Sequence, residues 1–259
     1  MAIGEHLQDV PTAPRALHRD EVHVWWAALD RPAATLGLMQ QMLAPDEQLR
    51  AERFCFARDR ERFVVCRATL RALLARYLYV EPEHIQFCYG SHGKPMLAAP
   101  FHDNEIQFNV SHSQGVALYV FARKRAVGVD VEHIRPIADA EQIVERFFSL
   151  RERTVFRSLP TAEQRETFFN WWTRKEACVK AIGEGLAYPL DRIDVSLIPD
   201  GLVRLFCSES TSHVPAFWSL RSLAALPGYA AALAVEGGGW ALITRQCPIN
   251  ECLTVARAQ

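Results

Sequence analysis

Gly115-Val116-Ala117-Leu118-Tyr119-Val120, an apolar run opened by a glycine, returns 113 residues later as Gly228-Tyr229-Ala230-Ala231-Ala232-Leu233. Two earlier features return at nearly the same spacing. The helical pattern around Phe63 recurs around Phe169, offset by 106, and the strand pattern at Ile85 recurs at Ile193, offset by 108. Similar order at near-constant offset, without strong identity between the copies, predicts two α+β halves packed face to face, with a boundary near Lys124–Ala126 that divides the chain into 1–125 and 126–259. The groove between the halves is then the expected ligand site.

Outward from these runs, Val22–Ala27 is β-branched and aromatic and reads as a strand. Pro45-Asp46-Glu47 opens a helix, with proline in the first turn and acids where the helix dipole favours them. A second helix over about 59–78 carries Phe63, Cys66, Leu70, Leu73, Leu74 and Tyr77 at helical spacing. Strands are expected at 85–89, 106–110, 115–122 and 126–132, then a helical stretch over 138–182. In that stretch Thr161 is the expected N-cap, Gln164 completes a capping box, and Gly183 and Gly185 close the far end. Strands near 191–198, 202–206, 215–222, 228–235 and 240–245 follow, and residues 1–20 read as a loose leader.

The chain has 259 residues, with 29 Lys+Arg against 30 Asp+Glu and a net charge of -1, so it has no global field for wrapping nucleic acid, and any anion site must be local. Hydrophobic residues at 49% and charged residues at 23% place it among folded globular chains rather than disordered ones. Seven cysteines, an odd number with no C-x-x-C pair, read as reduced thiols of a cytoplasmic protein. The N-terminus lacks the apolar centre of a signal peptide, and no stretch approaches the ~18 apolar residues of a membrane span.

Four constellations fall where the groove is expected. Phe108-Asn109-Val110-Ser111-His112-Ser113 runs from a strand into a polar turn, and His112 on its own could be structural. In Gly128-Val129-Asp130-Val131-Glu132 strand alternation sets Asp130 and Glu132 on one face. Two such carboxylates repel unless water solvates them or a hard divalent cation sits between them. In Trp172-Thr173-Arg174-Lys175-Glu176-Ala177-Cys178-Val179-Lys180 the residues Trp172, Glu176 and Lys180 share a helix face, with Lys175 one step round. A Glu–Lys surface pair explains two of these but not Lys175 beside a tryptophan. The fourth is the segment 50–76, with eight arginines against three acids, together with Gly93-Lys94-Pro95. Part of that charge is a solvated helix face, and part could meet phosphate. Three carboxylates for a metal, two lysines and a histidine for phosphate oxygens, and a separate basic patch suit an enzyme acting on a diphosphate that carries a third phosphate elsewhere. A phosphodiesterase-like metal enzyme, or an inactive binding module, remains open on these residues alone.

The chain resembles the Sfp-type 4'-phosphopantetheinyl transferases in FNVSHS at 108–113, GVDVE at 128–132 and WTRKEACVK at 172–180, with weaker support from GKP at 93–95 and from 53–71. The resemblance implies an α+β, pseudo-duplicated fold of two similar halves, each with an antiparallel sheet and a long helix. It implies transfer of 4'-phosphopantetheine from coenzyme A to a serine of an acyl or peptidyl carrier protein, releasing adenosine 3',5'-bisphosphate. Mg²⁺ ligands are then expected at Asp130, Glu132 and Glu176, with Glu176 a ligand first and a base second. Phosphate contacts are expected at Lys175, Lys180 and His112, with Ser111 beside the diphosphate and Lys94 in the turn lining the coenzyme A site. Arg50, Arg53 and Arg62 are the candidates for the 3'-phosphate. A functional monomer is expected, with no nucleic acid or membrane partner.

Overall fold

The computed structural model describes residues 16–90, 93–99, 101–183, 185, 188–196, 201–203, 217–224 and 226–247. Strand β1 (Glu21–Ala28) leads into three helices, α1 (Ala33–Gln41), α2 (Pro45–Glu52) and α3 (Ala57–Leu78). A short hairpin of β2 (Phe87–Tyr89) and β3 (Pro95–Leu97) follows, then β4 (Ile106–Ser113) and β5 (Val116–Arg123). The order starts again with β6 (Val127–His133) and three helices, α4 (Ala140–Phe147), α5 (Leu150–Ser158) and α6 (Thr161–Ile182). It closes with β7 (Gly201–Val203), β8 (Trp218–Ser222), β9 (Tyr229–Glu236) and β10 (Ala241–Gln246).

The copies identified from sequence are structural counterparts. The glycine-led runs are β5 and β9, each a central strand paired antiparallel on both sides, and the two helices are α3 and α6, of 22 residues each. One sheet has the order β10-β1-β5-β4 and the other β6-β9-β8-β7. Strand alternation divides their side chains. Trp25, Ala27, Tyr119 and Phe121 of the first sheet pack under α3, and Ala230, Ala232 and Ala234 of the second pack under α6. The opposite faces meet: Val22, Val24, Leu118 and Val120 join Val127, Val129, Val131, Leu233 and Val235 in a third core. The sheets are thus stacked face to face with a long helix outside each.

Several expectations change. Helix α1 has no clear sequence signal: AATLGLMQQ has little apolar periodicity and only Met39 is buried. The stretch 138–182 is three helices. Ser149, rather than Thr161, carries a capping box, with Glu152 N 3.2 Å from Ser149 Oγ and Ser149 N 2.7 Å from Glu152 Oε2. Thr161 is the first residue inside α6, Pro160 holds the cap position, and Gln164 donates instead to the carbonyls of Phe156 and Leu159. Gly183 does end α6, at φ 88°. Ile193 lies in a loop after a single 3-10 turn, so the second copy of the Ile85 pattern is not a strand, and Ile85 itself precedes β2. The expected leader lies mostly, and the strand near 202–206 partly, outside the described residues. The division at 125/126 is not a division of sheets, because β10 pairs parallel with β1, from Glu21↔Ala241 to Trp26↔Gln246.

Candidate active site

Strands β4 and β6 lie side by side without a backbone ladder. The inner-face side chains of β4 supply the missing partners. Val129 N donates to Asn109 Oδ1 at 3.0 Å, Val131 N to Ser111 Oγ at 3.4 Å and His133 N to Ser113 Oγ at 3.1 Å. These satisfy an otherwise orphaned strand edge. The two serines point their own protons at the carboxylates between those amides: Ser111 Oγ donates to Asp130 Oδ1 at 2.8 Å and Ser113 Oγ to Glu132 Oε2 at 2.8 Å.

Helix α6 lies against β6 because Gly128 has no side chain. A Cβ there would fall inside contact distance of Ala177 O and Ala181 N, and 2.9 Å from Ala181 Cα. That approach brings Lys180 Nζ to 2.6 Å from Asp130 Oδ1 and 2.8 Å from Ser111 Oγ. Glu176, one turn earlier and half-buried, has its carboxyl pushed above the usual range by burial first, and then by the negative charges of Asp130 and Glu132. Asp130 is 3% exposed, and burial also raises its carboxyl, with Lys180 and Ser111 offsetting part of that shift. Its Oδ2 is buried with no hydrogen-bond partner among the described residues. His112, on the other face of β4, has its imidazole pushed down by loss of water and by the Lys180 charge.

Three carboxylates gathered at one seam, Asp130 and Glu176 among them raised in part by acidic neighbours, together with a buried carboxylate oxygen that has no donor among the described residues, suit a hard divalent cation. Among the described residues, no three His, Cys, Asp or Glu side chains stand close enough together to hold a metal ion as they are. The ammonium of Lys180 occupies the place beside Asp130 Oδ1 instead.

Not every expected residue is here. Lys175 is 0% exposed on the opposite side of α6, where Nζ is 2.7 Å from Glu152 Oε2 and donates to the carbonyls of Leu190 and Ile193. A group so enclosed cannot meet a phosphate; one helix step from Glu176 is enough to turn it from groove to core. Lys94 is also committed elsewhere. It donates to Lys180 O at 2.7 Å and Val127 O at 3.3 Å, tying its turn to the end of α6 and the start of β6. Arg62 is held by Asp30 in a bidentate pair at 2.7 and 3.0 Å, which neutralises it. Arg50 and Arg53 have no ion pair among the described residues and line an open cleft with Asp46, Leu49, Phe54 and Tyr89. Asn109, Ser113, Glu47 and Glu152 were not singled out. The period-2 run Asn109, Ser111, Ser113 was the available signal for the first two.

Of the described cysteines, Cys66, Cys178 and Cys247 are buried and Cys55 is exposed. Among the described residues no helix is long and apolar enough to cross a membrane.

Comparison with known proteins gives the same picture from both halves. Residues 126–234 match the 4'-phosphopantetheinyl transferase superfamily and residues 30–123 match the N-terminal region of a 4'-phosphopantetheinyl transferase. The chain is 41% identical over 232 residues to 4'-phosphopantetheinyl transferase HetI of Nostoc sp., covering 89% of this chain and 94% of that protein. It is 29% identical over 188 residues to 4'-phosphopantetheinyl transferase Sfp of Bacillus subtilis, covering 72% and 79%. With the L-aminoadipate-semialdehyde dehydrogenase-phosphopantetheinyl transferase of Homo sapiens it shares 30% identity over 170 residues, covering 62% and 55%.

Proposed function

The chain belongs to the 4'-phosphopantetheinyl transferase superfamily and transfers the phosphopantetheine of coenzyme A to a carrier protein; we propose that it does so at the junction of β4, β6 and α6. The observation that supports this placement is the convergence of Ser111, Asp130, Glu132, Glu176 and Lys180, drawn from both sheets and one helix, on a single buried-to-open seam.

In this reading the serine hydroxyl of the carrier attacks the β-phosphate of coenzyme A, and adenosine 3',5'-bisphosphate leaves. Lys180 sets its ammonium beside the diphosphate, where a compact positive charge offsets charge building on the leaving group. Glu176, whose carboxyl burial raises, lies where it can take the serine proton, directly or through water. Asp130, Glu132 and Glu176 would hold Mg²⁺, which would supply positive charge to offset that of the diphosphate. His112, facing the α3 side of β4, is the remaining donor to the phosphates. Arg50 and Arg53 hold the 3'-phosphate, while Arg62 is engaged by Asp30. Lys94 shapes the donor site through its turn rather than by its ammonium. The protein acts as a monomer in the cytoplasm, a placement that suits an odd number of cysteines without a C-x-x-C pair.

Incubation with coenzyme A, Mg²⁺ and a panel of apo carriers, followed by intact mass measurement, tests the activity and identifies the carrier. Release of adenosine 3',5'-bisphosphate without any carrier would point to a phosphodiesterase instead. Metal titration of the wild type and of Asp130→Asn tests the Mg²⁺ assignment.

A further inference from the structure

Helix α2 is eight residues long and carries Arg50, with Arg53 at its C-cap. A helix this short has no stability of its own in water and takes its position from what it packs against. Its third residue, Glu47, points inward and is 1% exposed. Oε2 of that carboxylate accepts from Ala44 N at 3.0 Å, closing the first turn, and from Arg71 Nε of α3 at 2.6 Å. Oε1 lies 3.4 Å from Arg67 Nε, also of α3. Arg71 is fixed in turn by the carbonyls of Pro82 and Ile85, both at 2.9 Å. Arg67 and Arg71 each sit 5.2 Å from the Phe87 ring centre. Arg67 also lies over Phe63, at 6.0 Å, and Arg50 lies over the same ring at 5.5 Å. One carboxylate thus links the start of α2, two guanidinium groups of α3 and the aromatic wall on which Arg50 rests.

We propose that Glu47 is a positioning residue for donor recognition: by clamping α2 onto α3 it fixes Arg50 and Arg53 at the spacing that selects coenzyme A over donors lacking the 3'-phosphate. This rests on the reading of Arg50 and Arg53 as the 3'-phosphate grip. The clamp can be distinguished from a charge effect by its sign. Glu47 is an anion behind an anion site, so simple Coulomb reasoning says that neutralising it should tighten phosphate binding. If it positions the helix, neutralising it should loosen binding, because the arginines lose their fixed geometry.

The experiment measures kcat and KM of wild type, Glu47→Gln, Glu47→Asp and Arg50→Ala, each with coenzyme A and with dephospho-coenzyme A and one carrier substrate. Glu47→Gln is expected to raise KM for coenzyme A about 5- to 20-fold, leave kcat within about twofold, and leave KM for dephospho-coenzyme A unchanged. Glu47→Asp keeps the buried charge but withdraws it by one methylene, so it should show the same selective rise in smaller degree. It decides the matter if the Gln variant does not fold. A lower or unchanged KM for coenzyme A in these variants overturns the clamp, as does an equal rise for both donors. Arg50→Ala separates the two readings. If it abolishes the preference for coenzyme A while the Glu47 variants keep it, only the clamp fails. If it leaves the preference intact, the arginine grip itself fails.

Discussion

Glu176 and Lys175 are neighbours in sequence and opposites in environment. Glu176 faces two other carboxylates at the seam, and Lys175 is enclosed against Glu152. Glu176→Gln keeps size and removes charge, and is expected to lower kcat by ~10²–10⁴-fold with donor KM little changed. If the residue is mainly a ligand, raising Mg²⁺ recovers part of the loss; near-normal kcat at low Mg²⁺ would remove Glu176 from the mechanism. Lys175→Met should act on stability instead. It leaves Glu152 charged and buried, a loss of about 3–5 kcal/mol, read as a fall in the denaturant midpoint. Unchanged stability with a large loss of kcat would return Lys175 to the phosphates. The sequence shows both residues as chemistry-bearing, but helix periodicity alone cannot say which faces the groove. The direction is set by Glu152 and by the carbonyls of Leu190 and Ile193, from segments that no local pattern connects with Lys175.

At the level of elements, the contact between α6 and β6 depends on Gly128. Gly128→Ala puts a methyl group into helix backbone that cannot rotate away, and should cost about 3 kcal/mol, at the upper end of overpacking penalties. It should also lower activity by shifting Lys180 from Asp130. A variant with wild-type melting and rate would show that the helix yields freely. The turn before β3 makes a second contact with α6 through Lys94, whose amine is pushed down to about 8 by burial. An unfolded lysine titrates near ~10.4. Below pH 8 both states hold the proton and the folded state bears the full desolvation cost. Between pH 8 and ~10.4 the folded state has released it while the unfolded state has not, so stability rises with pH. The melting temperature of the wild type minus that of Lys94→Met should therefore increase across this window, and a flat or falling difference would refute the assignment. Helix and strand positions were legible where periodicity was strong, as in α3 and β5. They were obscure where it was weak, as in α1, or where tertiary contact overrides it, as in the loop at Ile193.

For the whole molecule, the duplication in the sequence gives two sheets, two long helices and the groove between them, but not the way the sheets are joined. Asn109, Ser111 and Ser113 reach the edge of β6 at a constant offset of 20 residues. Catalytic geometry is therefore a property of docking rather than of either sheet. Asn109→Ala leaves Val129 N without its partner and should cost ~1–3 kcal/mol. In a mild denaturant series this variant should lose activity before it loses far-UV circular dichroism, and coincident loss of the two signals would count against the seam as the weak point.

The parallel pairing of β10 with β1 also bears on how the chain is made. Strand β1 leaves a ribosome well before β10, and β5 can cover one of its edges early. The other edge waits for Ala241–Gln246. At elongation rates of ~5–20 residues per second that wait is roughly 10–40 s. During that interval the nascent chain carries an open strand edge of the kind that recruits foreign strands, and only β10 seals it.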